Sequence, residues 1–306
     1  MIVEKCLICE SSLASNNSAI EFLAHGVRAP WISELADEQD STDCSLWTCG
    51  DCDFNWFSPR MTEQVEGSLY SGYRENRYYS TRRKWEPWYF KVSNNSRNPG
   101  TKAARLAVST LDSLLRDLPD SIFEIVADVG GDEGQFFPTR SQKRLLVDPS
   151  NKPAVSGVLR AQSIAELPSG TRLVRIGCVL PHVANPKSLL MEIRKNCPQA
   201  LIVITMANDR YRLRNFHKSK SYLKFVNIVV KRRHAFIILD FVTGICRQFN
   251  RKIPRFGIIK QSEHVNYFSL HALSVLAKTL DFKVIKQSEN LSSGFGGMRI
   301  GELMVV

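Results

Sequence analysis

The chain has no uninterrupted apolar run of about 18 residues, the minimum a membrane-spanning helix requires. Its first residues, Met1 to Glu10, include Glu4, Cys6 and Cys9 and no apolar block, so a secretory signal is not expected there. The expected location is therefore the cytoplasm, where thiols stay reduced. Acidic residues are scarce in one place. Between Asp209 and Lys260 there are 14 Lys/Arg and 2 Asp/Glu, a net of +12. The whole 306-residue chain carries +11, so the other 254 residues sum to −1. Any pull on anions thus comes from one segment. No lysine of the Walker type follows a glycine loop, which argues against an ATPase. Hydrophobic residues at 43% and charged residues at 23% are ordinary for a globular chain able to bury a core without disulfides.

Five of the eight cysteines lie in the first 52 residues. Cys6-Leu-Ile-Cys9 and Cys49-Gly-Asp-Cys52 form two Cys-x2-Cys hooks. Two hooks can offer four thiolates in a tetrahedron, which suits structural Zn²⁺. The 39 residues between them exceed the roughly 15–20 of common zinc ribbons, so an intervening hairpin or loop is expected. Cys44 is a rival ligand and His25 a weaker one, and two unrelated turns with free thiols are the plain alternative. Gly50 is expected to ease the tight turn of the second hook. A closed four-thiolate site folds the chain and does no chemistry. Cys178, Cys197 and Cys246 are isolated and read as apolar fillers. An aromatic and basic stretch follows, with Tyr70, Tyr73, Tyr78, Tyr79, Trp85, Trp88 and Tyr89. Such residues stack on bases or sugars, or wedge a helical linker onto the next domain; the linker is the expected role.

From Thr101 to Asp117 apolar residues recur at helical spacing, and Leu118-Pro119 stops the helix. Ile122 to Val129 reads as a buried strand ending in Asp128-Val-Gly-Gly-Asp-Glu-Gly134. A strand that runs into a glycine turn and opens a short helix, here one containing Pro138, cradles a nucleotide. The glycines let backbone approach the ligand, and the helix N-terminus supplies free N–H groups. Lys143 to Val147 is a second strand, ending in Asp148-Pro-Ser150. A carboxylate at that tip takes both ribose hydroxyls. Gly130 and Asp148 are 18 residues apart, near the roughly 20 expected. The nicotinamide fingerprint is incomplete, because Asp132 stands at a glycine position.

The glycine turn, Asp148-Pro-Ser150, Leu180-Pro-His182-Val-Ala-Asn-Pro186 and Glu263-His-Val-Asn-Tyr-Phe-Ser269 occur in an order that resembles the class I S-adenosylmethionine-dependent methyltransferases. More narrowly, the chain resembles bacterial members with an N-terminal pair of Cys-x2-Cys hooks, often of sugar and surface-polysaccharide pathways. The resemblance implies an α/β fold: a Rossmann-like methyltransferase sheet flanked by helices, with a small zinc-ribbon-like N-terminal domain. Residues 1–60 would form the zinc-binding domain, 61–120 an aromatic helical linker or lid, and 121–306 the methyltransferase domain with a basic insert at 209–260. It further implies that Asp128, Gly130, Gly131 and Gly134 hold the methionine part of S-adenosylmethionine. Asp148 would hold the ribose, and Gln162 or Ser163 would meet the adenine. The fourth and fifth strands would be Leu173–Leu180 and Leu201–Thr205, the late helix Ser269–Leu280, and the last two strands Phe282–Ile285 and Glu302–Val306. Three departures stand out: Asp132 replaces the middle glycine, the helix after Gly134 is short with Pro138 inside it, and Arg172 to Arg175 lie where the fourth strand normally starts with an acid.

Methyl transfer to a hydroxyl needs a base beside the acceptor. His182, just past the fourth strand, is the first candidate; His264 and Tyr267 are second. The expected acceptor is a small, phosphate-bearing sugar, either a nucleotide sugar or a lipid-linked saccharide, capped by the basic insert. Peripheral contact with an anionic membrane, at its inner face, is the accompanying expectation. An RNA methyltransferase using the zinc knot and basic segment is the main alternative, and a non-catalytic relative the second.

Overall fold

The computed structural model describes residues 5–12, 19–36, 43–89, 100–150, 152–207, 213–250, 253–295 and 298–305. In chain order the first elements are β1 (Ile20–Arg28), α1 (Pro30–Leu35), β2 (Asp43–Cys49), β3 (Asn55–Ser58), α2 (Glu63–Ser71) and α3 (Asn76–Trp85). Next come α4 (Lys102–Leu114), β4 (Ile125–Val129), β5 (Lys143–Val147), β6 (Val158–Ala161), β7 (Leu173–Gly177), α5 (Pro186–Asn196) and β8 (Leu201–Ala207). The last are α6 (Lys220–Val230), α7 (Arg233–Asn250), β9 (Lys260–Gln261), β10 (Asn266–Tyr267), α8 (Leu270–Thr279), β11 (Lys286–Phe295) and β12 (Met298–Val305). They form two compact units, Met1–Phe90 with Asp209–Phe268, and Lys91–Asn208 with Ser269–Val306.

The first unit holds a five-stranded sheet in the order β10-β3-β2-β1-β9. The three long strands are an antiparallel meander, and both edges are closed by short strands from far along the chain. β9 runs parallel to β1, with Val27 opposite Lys260; β10 runs antiparallel to β3, with Tyr267 opposite Asn55. A Cβ on Gly26 would fall 2.9 Å from the Ile259 carbonyl, so glycine there admits the β9 backbone. Val27, Leu46 and Phe57 of the sheet share one core with Tyr222, Val226 and Phe236 of α6 and α7. Residues 209–268 are therefore part of the N-terminal unit and not an insert in the sheet domain, a correction to the sequence-based boundaries. The cause is that β1 and β3 would otherwise be open edges, which a second chain segment must cover.

The aromatic stretch is also placed differently from a linker to the next domain. Tyr78 is buried against Trp31, Ile32, Leu69 and Val265, and Tyr70, Tyr73, Tyr79 and Tyr89 pack on the same cluster. Beside it lies a buried charge network. Glu86 accepts from Trp31 Nε1 at 3.0 Å, Arg82 Nε at 2.7 Å and Lys260 Nζ at 2.5 Å. Lys260 also reaches Asp240 at 2.7 Å, and Arg82 reaches Glu263 at 2.7 Å.

The second unit is a seven-stranded sheet in the order β11-β12-β8-β7-β4-β5-β6. β4 to β8 are parallel, and β12 enters antiparallel between β8 and β11. A central first strand with one antiparallel strand next to an edge is the Rossmann-like methyltransferase arrangement, as expected. Thr101, Asn185 and Ser269 cap α4, α5 and α8, each side chain accepting from a backbone N–H three residues on. Three local expectations change. β4 begins at Ile125, because Asp120–Phe123 form a 3₁₀ turn. β7 stops at Gly177, since Cys178 turns into the left-handed region at φ 58°. Phe282–Ile285 is not a strand; the last two strands are β11 and β12, and Val306 lies outside the described residues. No helix connects β4 to β5. Phe136 and Phe137 are buried there ahead of Pro138, whose ring removes an N–H donor that a helix interior needs.

Candidate cofactor site and metal centre

The parallel register puts the carboxyl ends of four strands side by side, with Ala161, Val147, Val129 and Ile176–Gly177 at one edge. Gln162 and Ser163, Asp148, the Gly130–Gly134 turn and the Cys178–His182 turn follow those ends in spatial order. Open α/β sheets bind ligands at such an edge. The Gly130 N–H donates to Val147 O at 2.7 Å, which ties the turn to β5. A side chain on Gly130, whose φ is 71°, would collide with Val179. The His182 N–H donates to Val179 O at 2.8 Å, and Val179 packs on Gly130, so the His182 turn lies against the glycine turn.

Asp148 accepts from the Asp132 N–H at 2.8 Å on one oxygen and from the Ser150 N–H at 2.9 Å on the other. A carboxylate has about four lone-pair sites, so acceptor capacity remains on both oxygens. Ser150 Oγ is buried with no hydrogen-bond partner among the described residues, an orphaned polar atom beside that carboxylate. Asp132 keeps the left-handed conformation that a glycine would supply, with φ 60°. Its carboxylate meets Lys152 Nζ at 2.9 Å, which neutralises the charge the substitution introduces.

Two arginines had no role assigned from the sequence. Arg175 Nη1 donates to both oxygens of the buried Asp128, at 2.7 and 2.9 Å. Burial pushes the Asp128 carboxyl up, and Arg175 pulls it down. The pair is threaded between glycines: a Cβ on Gly131 would strike the carboxylate, and one on Gly177 the guanidinium. Arg160 donates to the carbonyls of Asp148 at 2.7 Å, Ser150 at 2.8 Å and Lys152 at 2.5 Å. It braces the loop after β5. A charged residue inside a short apolar strand was the available signal for both.

The absence of a helix after Gly134 corrects the expectation of helix N-terminal donors; the N–H groups of Gly130, Asp132, Glu133 and Gly134 donate within the protein, to Val147 O, Asp148, Gln135 and Gly131 O. Gln162 is exposed, and its N–H donates to Glu166 at 2.8 Å. Ser163 precedes the 3₁₀ turn Ile164–Glu166. His264 and Tyr267 belong to the first unit, not to the unit carrying the glycine turn. Tyr267 is buried against Phe57 with ring centroids 5.9 Å apart, and His264 lies 6.2 Å from it.

The four hook cysteines meet in the first unit. Cys6, Cys9, Cys49 and Cys52 place their sulfurs all within 4.8 Å of one another. Cys6–Cys52 and Cys9–Cys49 are each 3.5 Å apart. An ion bonded to four sulfurs at about 2.3 Å separates them by about 3.8 Å, so the spacing fits a tetrahedral ion. Each hook ends on a left-handed residue, Glu10 at φ 66° and Asp53 at φ 57°. Gly50 does not have that conformation; a Cβ there would lie 3.3 Å from Ala19 O. Cys44 is excluded from the cluster. It sits in the sheet core, where burial pushes its thiol up, and His25 packs edge-on to Phe22 at 4.8 Å.

No family model and no curated protein matches the chain. Solved structures do. The plantazolicin methyltransferase BpumL in complex with SAH is 15% identical, covering 71% of this chain and 79% of its own, with a TM-score of 0.36. A SAM-dependent methyltransferase of Leishmania major is 11% identical over 73% of this chain and 86% of its own, TM-score 0.42. Phosphoethanolamine N-methyltransferase 2 of Haemonchus contortus, in complex with S-adenosyl-L-methionine, is 15% identical over 91% and 56%, TM-score 0.40. Independently of these, the strand order places the chain in the Rossmann-like methyltransferase fold class.

Proposed function

We propose that the second unit binds S-adenosylmethionine and transfers its methyl group to a small, phosphate-bearing sugar or saccharide. The observation that carries this reading is Asp148 at the tip of β5, hydrogen-bonded to the glycine turn with acceptor capacity to spare. When bound, the cofactor supplies an electrophilic methyl group on a sulfonium. Asp148 would hold the ribose hydroxyls, and the Asp128–Arg175 pair would face the amino-acid end. Gln162 or Ser163 would meet the adenine. His182 would take the proton of an acceptor hydroxyl. The acceptor class rests on the family resemblance and on the +12 between Asp209 and Lys260, which attracts phosphate. The RNA alternative loses support because most of the aromatic stretch, Tyr70, Tyr73, Tyr78, Tyr79, Trp85 and Tyr89, packs into or against a core. The hook cysteines would hold one structural Zn²⁺.

Calorimetric titration of the full chain with S-adenosylmethionine and its demethylated product tests the cofactor reading. Asp148→Ala is expected to weaken both about tenfold or more, the loss of two hydrogen bonds to a charged group. His182→Ala is expected to keep the affinity and lose turnover with the acceptor. Failure of the unaltered protein to bind either ligand overturns the reading.

A further inference from the structure

Helix α7 is apolar on two opposite faces. Phe236 and Thr243 point inward and are buried. Outward, Ile238, Phe241, Val242 and Ile245 are 62%, 44%, 41% and 39% exposed. Their spacing of three, four and seven residues makes one continuous stripe. A helix on the surface of a globular protein turns polar residues outward, so such a stripe marks an interaction site. Trp88 extends it, with its ring centroid 5.1 Å from Phe241. No helix among the described residues is long and apolar enough to cross a membrane.

The stripe has a cationic rim. Lys231, Arg232, Arg233 and His234 are all exposed where the chain enters α7. Arg233 Nε donates to Lys84 O at 2.7 Å, which brings exposed Arg83 and Lys84 to the same end. Lys220, Lys224 and Ile228, four residues apart, are exposed along α6. Glu34 pairs with Lys84 and lies near Arg233, and so offsets part of this charge; Lys231 and Arg232 stand beyond it. Between Asp209 and Lys260 the two carboxylates are Asp209, outside the described residues, and Asp240, which is bound to Lys260.

An apolar stripe beside a cationic rim matches a surface that is anionic at the headgroups and apolar just beneath. We infer that α7 lies flat in the interface of an anionic bilayer, with Ile238, Phe241, Val242 and Ile245 at the acyl boundary and the basic turn among lipid phosphates. Trp88, against Phe241, would sit at the headgroup level, where amphipathic aromatics collect. Nucleic acid would answer the charge but leave the four apolar side chains unaccounted for. A second copy would cover the stripe but oppose the same basic segment to itself. The inference does not depend on the cofactor reading.

The test is sedimentation of the full-length protein with vesicles of phosphatidylcholine alone and with roughly one third phosphatidylglycerol. Binding is expected with the anionic vesicles only, and is lost at high salt. Ile238→Ser with Ile245→Ser should weaken it about tenfold or more, and Lys231→Glu with Arg232→Glu similarly. Both pairs are at exposed positions, and an unaltered thermal midpoint confirms that they fold. No binding to anionic vesicles, equal binding to neutral ones, or undiminished binding by the Ile238/Ile245 variant overturns the inference. So does a dimer that this variant dissociates, or retention on RNA, in the absence of vesicle binding.

Discussion

Asp128 and Arg175 show how a departure from a family pattern is absorbed locally. Arg175, in the middle of the fourth strand, is the charge partner of the fully buried Asp128 carboxylate. Glycine at 131 and 177 is required by the space the two side chains fill. Arg175→Met would leave Asp128 buried without that partner, at a cost of about 3 kcal/mol. The sign with pH follows from the shift. Burial already raises the Asp128 pKa above its unfolded value, and removal of Arg175 raises it further. A carboxyl raised in the folded state loses stability as pH rises from its unfolded pKa toward its folded one. The deficit of the Arg175→Met variant is therefore expected to be largest at neutral pH and to shrink on acidification. Thermal melts at pH 7 and about pH 4.5 check this; a deficit independent of pH would show that packing, not charge, is what Arg175 contributes.

At the scale of elements, two devices hold the first unit together. One is the charge network, in which Glu86 beside α3, Asp240 on α7 and Lys260 on β9 meet within hydrogen-bonding distance. Lys260 and Arg82 hold the Glu86 carboxyl down to about 2 despite its burial. The other is the sulfur cluster, which pins the hook Cys6–Cys9 to the turn between β2 and β3. In a tetrahedral thiolate site the binding free energy of the ion is folding free energy. Chelation, or Cys52→Ser, is expected to lower the melting temperature of this unit by about 10 °C or more, from a loss of several kcal/mol. Cys44→Ala should retain the metal, because Cys44 belongs to the core behind the sheet. Metal analysis of the two variants beside the unaltered protein decides it. Equal metal content in all three would refute the hook assignment.

At the scale of the whole molecule, legibility followed the range of the interactions. β5 and α8 were readable because a continuous apolar run and a capped 3.6-residue period are local signals. The edge of the sheet that gathers Asp148 and Gly130 could be read for the same reason: each strand ends where its own turn chemistry ends it. β9 and β10 were not readable, being two residues long and defined only by partners more than 200 residues away. With them went the true extent of the first unit, since a basic, apolar-blocked segment reads equally well as an insert. The missing helix after Gly134 needed Phe136 and Phe137 to be seen buried in its place. This division makes a prediction that separates the two views of the N-terminus. Residues 1–90 expressed alone keep both hooks but lose Tyr222, Val226, Phe236, Ile259 and Tyr267 from the core around Val27 and Phe57. They also leave β1 and β3 as open edges. With Zn²⁺ in excess, the fragment is expected to show no cooperative thermal transition and to associate through its edges. Adding a second fragment covering 209–268 should restore a cooperative melt, because that segment carries the missing half of the core. A cooperative melt of 1–90 by itself, matching that of the full chain, would mean that the ribbon folds on its own and that β9, β10, α6 and α7 only decorate it.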